Sequence, residues 1–111
     1  MKIWKYKKVG PNNAFYTAKI GLYYIEIQKF LDKDGQTKYL AEVKMQFGPR
    51  PAEVKLIRIH VGSHDYRAMF AADLKSAKTA CLNAVIEDWE KLRSETDNAL
   101  SLAKAELAKS R

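Results

Sequence analysis

The sequence predicts an α+β fold, a four- to five-stranded antiparallel meander sheet packed on one face by a long C-terminal helix. Three observations point there. From Asp73 to Arg93 the apolar residues recur at a helical period, with Leu74, Ala77, Cys81, Val85, Trp89 and Leu92 at steps of three, four, four, four and three. Before that stretch the chain runs in short alternating segments rich in Tyr, Ile, Val and Phe. Between those segments stand Gly, Pro, Asn and Asp clusters, residues that tolerate positive φ or lack a ladder donor. A chain of 111 residues buries one core without disulfide or metal support, so residues 1–111 are expected to form a single domain. Within it, residues 1–62 read as sheet, 73–93 as the packing helix and 94–111 as a helical extension.

Taken in order, residues 3–9 alternate Trp4 and Tyr6 against Lys5 and Lys7 and form a first strand, broken by Gly10-Pro11-Asn12-Asn13. Residues 14–20 form a second strand that ends at Gly21. The next run, Leu22 to Leu31, puts Tyr23, Ile25, Ile27 and Leu31 on one face and Tyr24, Glu26 and Gln28 on the other, the pattern of a sheet with one wet face. Asp32-Lys33-Asp34-Gly35 turns the chain back. Residues 37–47 return with Tyr39, Ala41, Val43, Met45 and Phe47 inward, and Gly48-Pro49-Arg50-Pro51 ends them. Residues 53–61 read as one further strand with Ile57, Ile59 and Val61 inward and Arg58 and His60 outward. Short turns between successive strands favour an up-and-down meander.

Residues 62–72 fit three readings: a crossing loop, a short edge strand through Tyr66 to Phe70, or the first turns of the helix. Asp73 is the preferred N-cap, because a short acceptor side chain there precedes a strongly helical run. Trp89 is expected to pack on the sheet with the rest of its stripe. A helix from 73 to about 108 would extend roughly 50 Å, whereas strands of this length span about 30 Å. The last turns must therefore leave the sheet, to meet a second molecule, to fold back after Ser94-Glu95-Thr96-Asp97, or to fray. Leu100, Ala103 and Leu107 continue a thinner stripe there and are the candidate partner surface, for a homodimer or a docking helix.

The net charge of +7 is unevenly spread. Residues 1–67 hold 13 Lys and Arg against 6 Asp and Glu, while residues 68–111 hold 7 of each. The excess lies on the sheet half, which suits nucleic acid or an acidic protein partner. Charges interrupt the first residues where a signal peptide needs an apolar run, and no stretch approaches a membrane span, so a cytoplasmic protein without a membrane partner is expected. The single Cys81 falls on the helix stripe and reads as a small buried hydrophobe.

Catalytic patterns are scarce. His60 and His64 stand four apart, but on a strand and in a loop, without clustered ligands, so neither a metal site nor a cofactor is expected. The five glycines are isolated turn residues and form no phosphate loop, and no nucleophile motif is present. A non-enzymatic role follows. The outer sheet face is the more informative surface: Lys5, Lys7, Lys19, Lys44, Arg58 and His60 are expected to face away from the helix together with Phe15 and Tyr24. Cations interleaved with aromatics are the ingredients of single-stranded DNA or RNA binding on a sheet. Lys33, Arg50 and Arg67 in loops would extend that surface.

Trp4, the stretch Tyr16-Thr17-Ala18-Lys19-Ile20-Gly21-Leu22-Tyr23 and the run Asp73-Leu74-Lys75-Ser76-Ala77-Lys78 resemble a loose group of small phage and mobile-element proteins with a β-meander and a C-terminal helix. The resemblance covers residues 4 to about 92 and implies the fold rather than a chemistry. The strand-strand-helix ending is also similar to double-stranded RNA-binding domains, which implies a phosphate clamp at the helix start, where Lys75 and Lys78 stand. The expected function is a nucleic-acid-binding accessory protein, with a protein-interaction module acting through the C-terminal helix as the alternative.

Overall fold

The computed structural model describes residues 3–110, so the two ends of the expected 1–111 domain lie outside the described residues. Strands β1 (Trp4–Gly10), β2 (Asn13–Ile20), β3 (Tyr23–Leu31), β4 (Thr37–Gln46) and β5 (Val54–Ile57) form an antiparallel meander in the order β1-β2-β3-β4-β5. The turns carry the chemistry their geometry needs. Gly21 takes φ 58° between β2 and β3, and Gly35 takes φ 78° between β3 and β4. At the second turn the Asp32 carboxylate accepts from the backbone N–H groups of Asp34 and Gln36, both at 2.9 Å.

The single strand expected over 53–61 is instead two. Beyond Ile57 the chain peels away at Arg58, and β6 (Ile59–Val61) pairs with β7 (His64–Tyr66) in a separate hairpin turned at Gly62. Strand β8 (Met69–Ala71) then takes up the place along β4 that a longer β5 would have used. It pairs with Tyr39 to Ala41, while β5 pairs with Val43 to Gln46. One edge of β4 thus serves two short strands, and the sheet reaches past residue 62.

Helix α1 runs unbroken over Leu74–Lys109. Asp73 is its N-cap: its carboxylate accepts from the Ser76 backbone N–H at 2.7 Å and the Ser76 hydroxyl at 3.0 Å, which holds its pKa below the ordinary carboxylate value. No fold-back occurs at Ser94-Glu95-Thr96-Asp97; the Thr96 hydroxyl donates to the Leu92 carbonyl inside the helix. At 1.5 Å per residue α1 is about 54 Å long, and it sets the longest dimension of the molecule, 69 Å against 32 and 29 Å.

The core lies between α1 and the inner face of β3, β4, β5, β6 and β8. Ile25, Ile27, Val43 and Ile59 are fully enclosed there with Cys81, whose thiol burial pushes up to about 12. Helix residues Ala77, Ala80 and Ala84 and sheet residues Ala41 and Ala71 are all buried and small, which lets the helix backbone approach the sheet closely. Four inward assignments fail. Leu31 and Val61, the last residues of β3 and β6, are exposed. Phe47 is exposed because β4 ends at Gln46, whose side-chain amide donates to the Gly48 and Arg50 carbonyls as the chain turns. Trp89 is 57% exposed. Each step of four residues overshoots a helical turn by about 40°, so three in succession carry Trp89 about 120° around from Ala77. Among the described residues no helix is long and apolar enough to cross a membrane.

Candidate nucleic-acid interface

With α1 on one face only, the other face of the sheet stands open, and the strand register decides what it shows. Side chains that alternate with the buried Ala18, Ile25 and Val43 point outward. Across β2, β3, β4 and β5, Lys19 lies opposite Tyr24, Tyr24 opposite Lys44, and Lys44 opposite Leu56. This row places an aromatic ring between two ammonium groups, and Tyr24 is 40% exposed. Two positions along, Lys5, Thr17, Glu26 and Glu42 succeed one another, and Lys44 Nζ reaches back to Glu42 at 3.7 Å. A further two positions along, Lys7, Phe15, Gln28, Leu40 and Phe70 form a third row.

Between β1 and β3 these rows enclose a shallow hollow of about 340 Å³ bordered by Lys5, Lys7, Phe15, Thr17, Tyr24 and Glu26. The structure therefore brings Lys5, Lys7, Lys19, Tyr24, Lys44 and Phe15 onto one surface. Arg58 and His60 are not part of it. Because the chain leaves the sheet at Arg58, both residues line a groove on the helix side with Glu87, Asp88 and Lys91. His60 Nδ1 stands 3.7 Å from Asp65 Oδ1, its partner in the β6-β7 hairpin. Lys75 borders a neighbouring hollow beside His60, and Lys78 extends its Nζ over Trp4 at 4.8 Å and Tyr16 at 5.7 Å, on the inner side of the sheet.

Sequence reasoning placed Lys38 outward on β4 but missed Phe30 and Phe70 on the same face. Phe30 lies opposite Lys38, and its ring meets Phe70 edge-on at 5.9 Å. Phe70 is 65% exposed. Carrying the β3 alternation to the strand end would have found Phe30; Phe70 became visible only once β8 was paired to β4.

The other candidate surface is the helical extension. The last partly packed residue is Leu92, and the 17 residues from Arg93 to Lys109 continue about 25 Å beyond it. Leu100 and Leu107 are 54% and 56% exposed, and Ala103 is exposed between them. Where the helix leaves the sheet, Ile20, Leu22, Ile86 and Trp89 line an apolar groove of about 490 Å³ beside the β2-β3 turn. The Tyr23 hydroxyl donates to Asp88 Oδ2 at 2.8 Å at the side of that groove; burial, and then the Asp88 bond, push its pKa up to about 12.

Comparison with family models, with curated proteins and with solved structures returned no match to this chain. Function is read from the geometry alone.

Proposed function

We propose that this protein is a non-enzymatic binding module for single-stranded nucleic acid, and that the open sheet face is the binding surface. The observation that carries the reading is the register row Lys19, Tyr24, Lys44, with the Lys5, Lys7 and Phe15 hollow beside it. Unpaired bases stack on exposed rings irrespective of sequence, and ammonium groups on either side follow the phosphates. Neighbouring strands are spaced about 4.8 Å apart, so Lys19 and Lys44 straddle Tyr24 with roughly 10 Å between their backbones. That is room for one stacked base with phosphates to either side. Glu26 faces Glu42 across β3 and β4, so this central row repels phosphate and directs the strand along the rows that flank it. A broad sheet with flat aromatic rings has no element that enters a duplex groove, which favours single strands.

The test is a fluorescence-anisotropy titration with short labelled single-stranded DNA, single-stranded RNA and duplex DNA. Single strands are expected to bind more tightly than duplex. Tyr24→Ala should cost about 1–3 kcal/mol of binding, roughly a five- to 150-fold loss. Arg58→Glu, past the end of β5 and outside the paired rows, should cost less than Lys44→Glu. Preference for duplex together with full affinity in Tyr24→Ala would remove the proposal.

A further inference from the structure

The helical extension changes its periodicity where it leaves the sheet. The buried stripe advances by repeated steps of four, whereas Trp89, Arg93, Thr96, Leu100, Ala103 and Leu107 alternate steps of four and three. That alternation is a heptad seam, which stays aligned on one side of a helix and fits a second helix rather than a sheet. Trp89, Leu100 and Leu107 on this seam are exposed. We infer that two copies of this chain pair through these seams, with the extensions antiparallel, so that the end of each helix enters the apolar groove of the other copy.

Three observations select a second copy in this orientation. First, an antiparallel pairing centred near residue 98 sets Trp89 against Leu107 of the second copy, Thr96 against Leu100, and Arg93 against Ala103, whose methyl leaves room for the arginine stem. A parallel, in-register pair would instead place Arg93 against Arg93 within the seam, two like charges withdrawn from water. Second, the flanking charges are self-complementary. Glu90 falls beside Lys104 of the second copy, twice by symmetry, and neither residue forms an ion pair within its own chain among the described residues. Third, the same register brings residues 104 to 110 of the second copy level with Ile86 to Leu92, helix residues that wall the groove of about 490 Å³ with Ile20 and Leu22. Stripe and groove are separate features, and one symmetric arrangement covers both. Asp97 is the one charged residue it places near its own symmetry mate, a repulsive contact that marks the register.

The first measurement is the mass of the wild-type protein by light scattering over a concentration series; a dimer has twice the 12.7 kDa of the chain. Cysteine pairs then read the orientation. A mixture of Glu90→Cys and Lys104→Cys proteins should form a disulfide-linked heterodimer under mild oxidation, while neither alone links to itself; Cys81 is fully buried and stays out of the reaction. Asp97→Asn should tighten self-association about 1.4- to 2.3-fold by removing the repulsive contact. The double variant Leu100→Asp, Leu107→Asp should be a monomer with its sheet intact. A wild-type monomer at all concentrations would overturn the inference. So would self-linking of Glu90→Cys alone, or an Asp97→Asn variant that associates no more tightly than wild type.

Discussion

Replacing Lys19 and Lys44 together by Ala tests the open-face reading by a quantity that simple loss of affinity does not give. The outer face carries Lys5, Lys7, Lys19, Lys38 and Lys44. If each neutralises one phosphate of a single strand, the logarithm of the binding constant falls against the logarithm of salt with a slope of about −3.5, because about 0.7 counterion is released per contact. Without Lys19 and Lys44 the slope becomes about −2.1. Between about 50 and about 200 mM salt the wild-type protein then loses roughly 130-fold in affinity and the double variant roughly 18-fold. Lys44 starts from a disadvantage, since it holds Glu42 at 3.7 Å and both side chains are partly exposed. Such a pair is worth at most about 1 kcal/mol, so Glu42→Gln should tighten binding by up to roughly fivefold. The assay is anisotropy with one labelled single strand across a series of salt concentrations. Equal slopes for the wild type and the double variant would refute the reasoning, because the phosphates would then be held elsewhere.

Further outcomes follow from the core and the helix. Ile25→Ala, at a fully buried position, should lower the unfolding free energy by about 2–5 kcal/mol in urea titrations, whereas Leu102→Ala on the exposed extension should change it by less than about 0.5 kcal/mol. Tyr23 keeps its proton in the folded protein to about pH 12, above its ordinary value of 10.0. Its contribution to stability is therefore complete below pH 10 and lost as pH rises from 10 toward 12. Tyr23→Phe should flatten that alkaline decline and cost about 1–2 kcal/mol at neutral pH by leaving Asp88 without its donor, which denaturation at a series of pH values would read.

What was legible in the sequence was local. The alternation in residues 14–20, 23–31 and 37–46 is a property of the chain itself and gives both the enclosed isoleucines and the outward Lys19, Tyr24 and Lys44. The Asp73 cap and the helix over residues 74–93 are likewise nearest-neighbour chemistry, whereas the unbroken run past Ser94 was one of several open readings. The failures were contests between distant segments. Arg58 and His60 lost their place on the outer face because β8, more than ten residues later, competes with β5 for one edge of β4. Phe70 was hidden by the same event. Trp89 lies on a helical period, but the sheet ends at Gly21 and Leu22, and a period carries no information about where the opposing surface stops.

Strand β1 lies at the end of the sheet order, so its outer edge offers unpaired backbone groups to any strand that approaches. Lys5, Lys7 and Lys8 are exposed along it, the register slips between Lys8 and Gly10, and Pro11 follows. Charge, a bulge and a proline are the devices by which natural sheets stop themselves from joining edge to edge. Lys5 and Lys7 therefore serve solubility whether or not nucleic acid is bound. Neutralising them to test phosphate contact would also uncover an edge built around Trp4, Tyr6 and Val9, and loss of binding there would be confounded with precipitation. Lys19 and Lys44, inside the sheet, avoid that, and it is why the charge experiment belongs on them; on β1 the same lysines keep the sheet of one molecule from growing into the next.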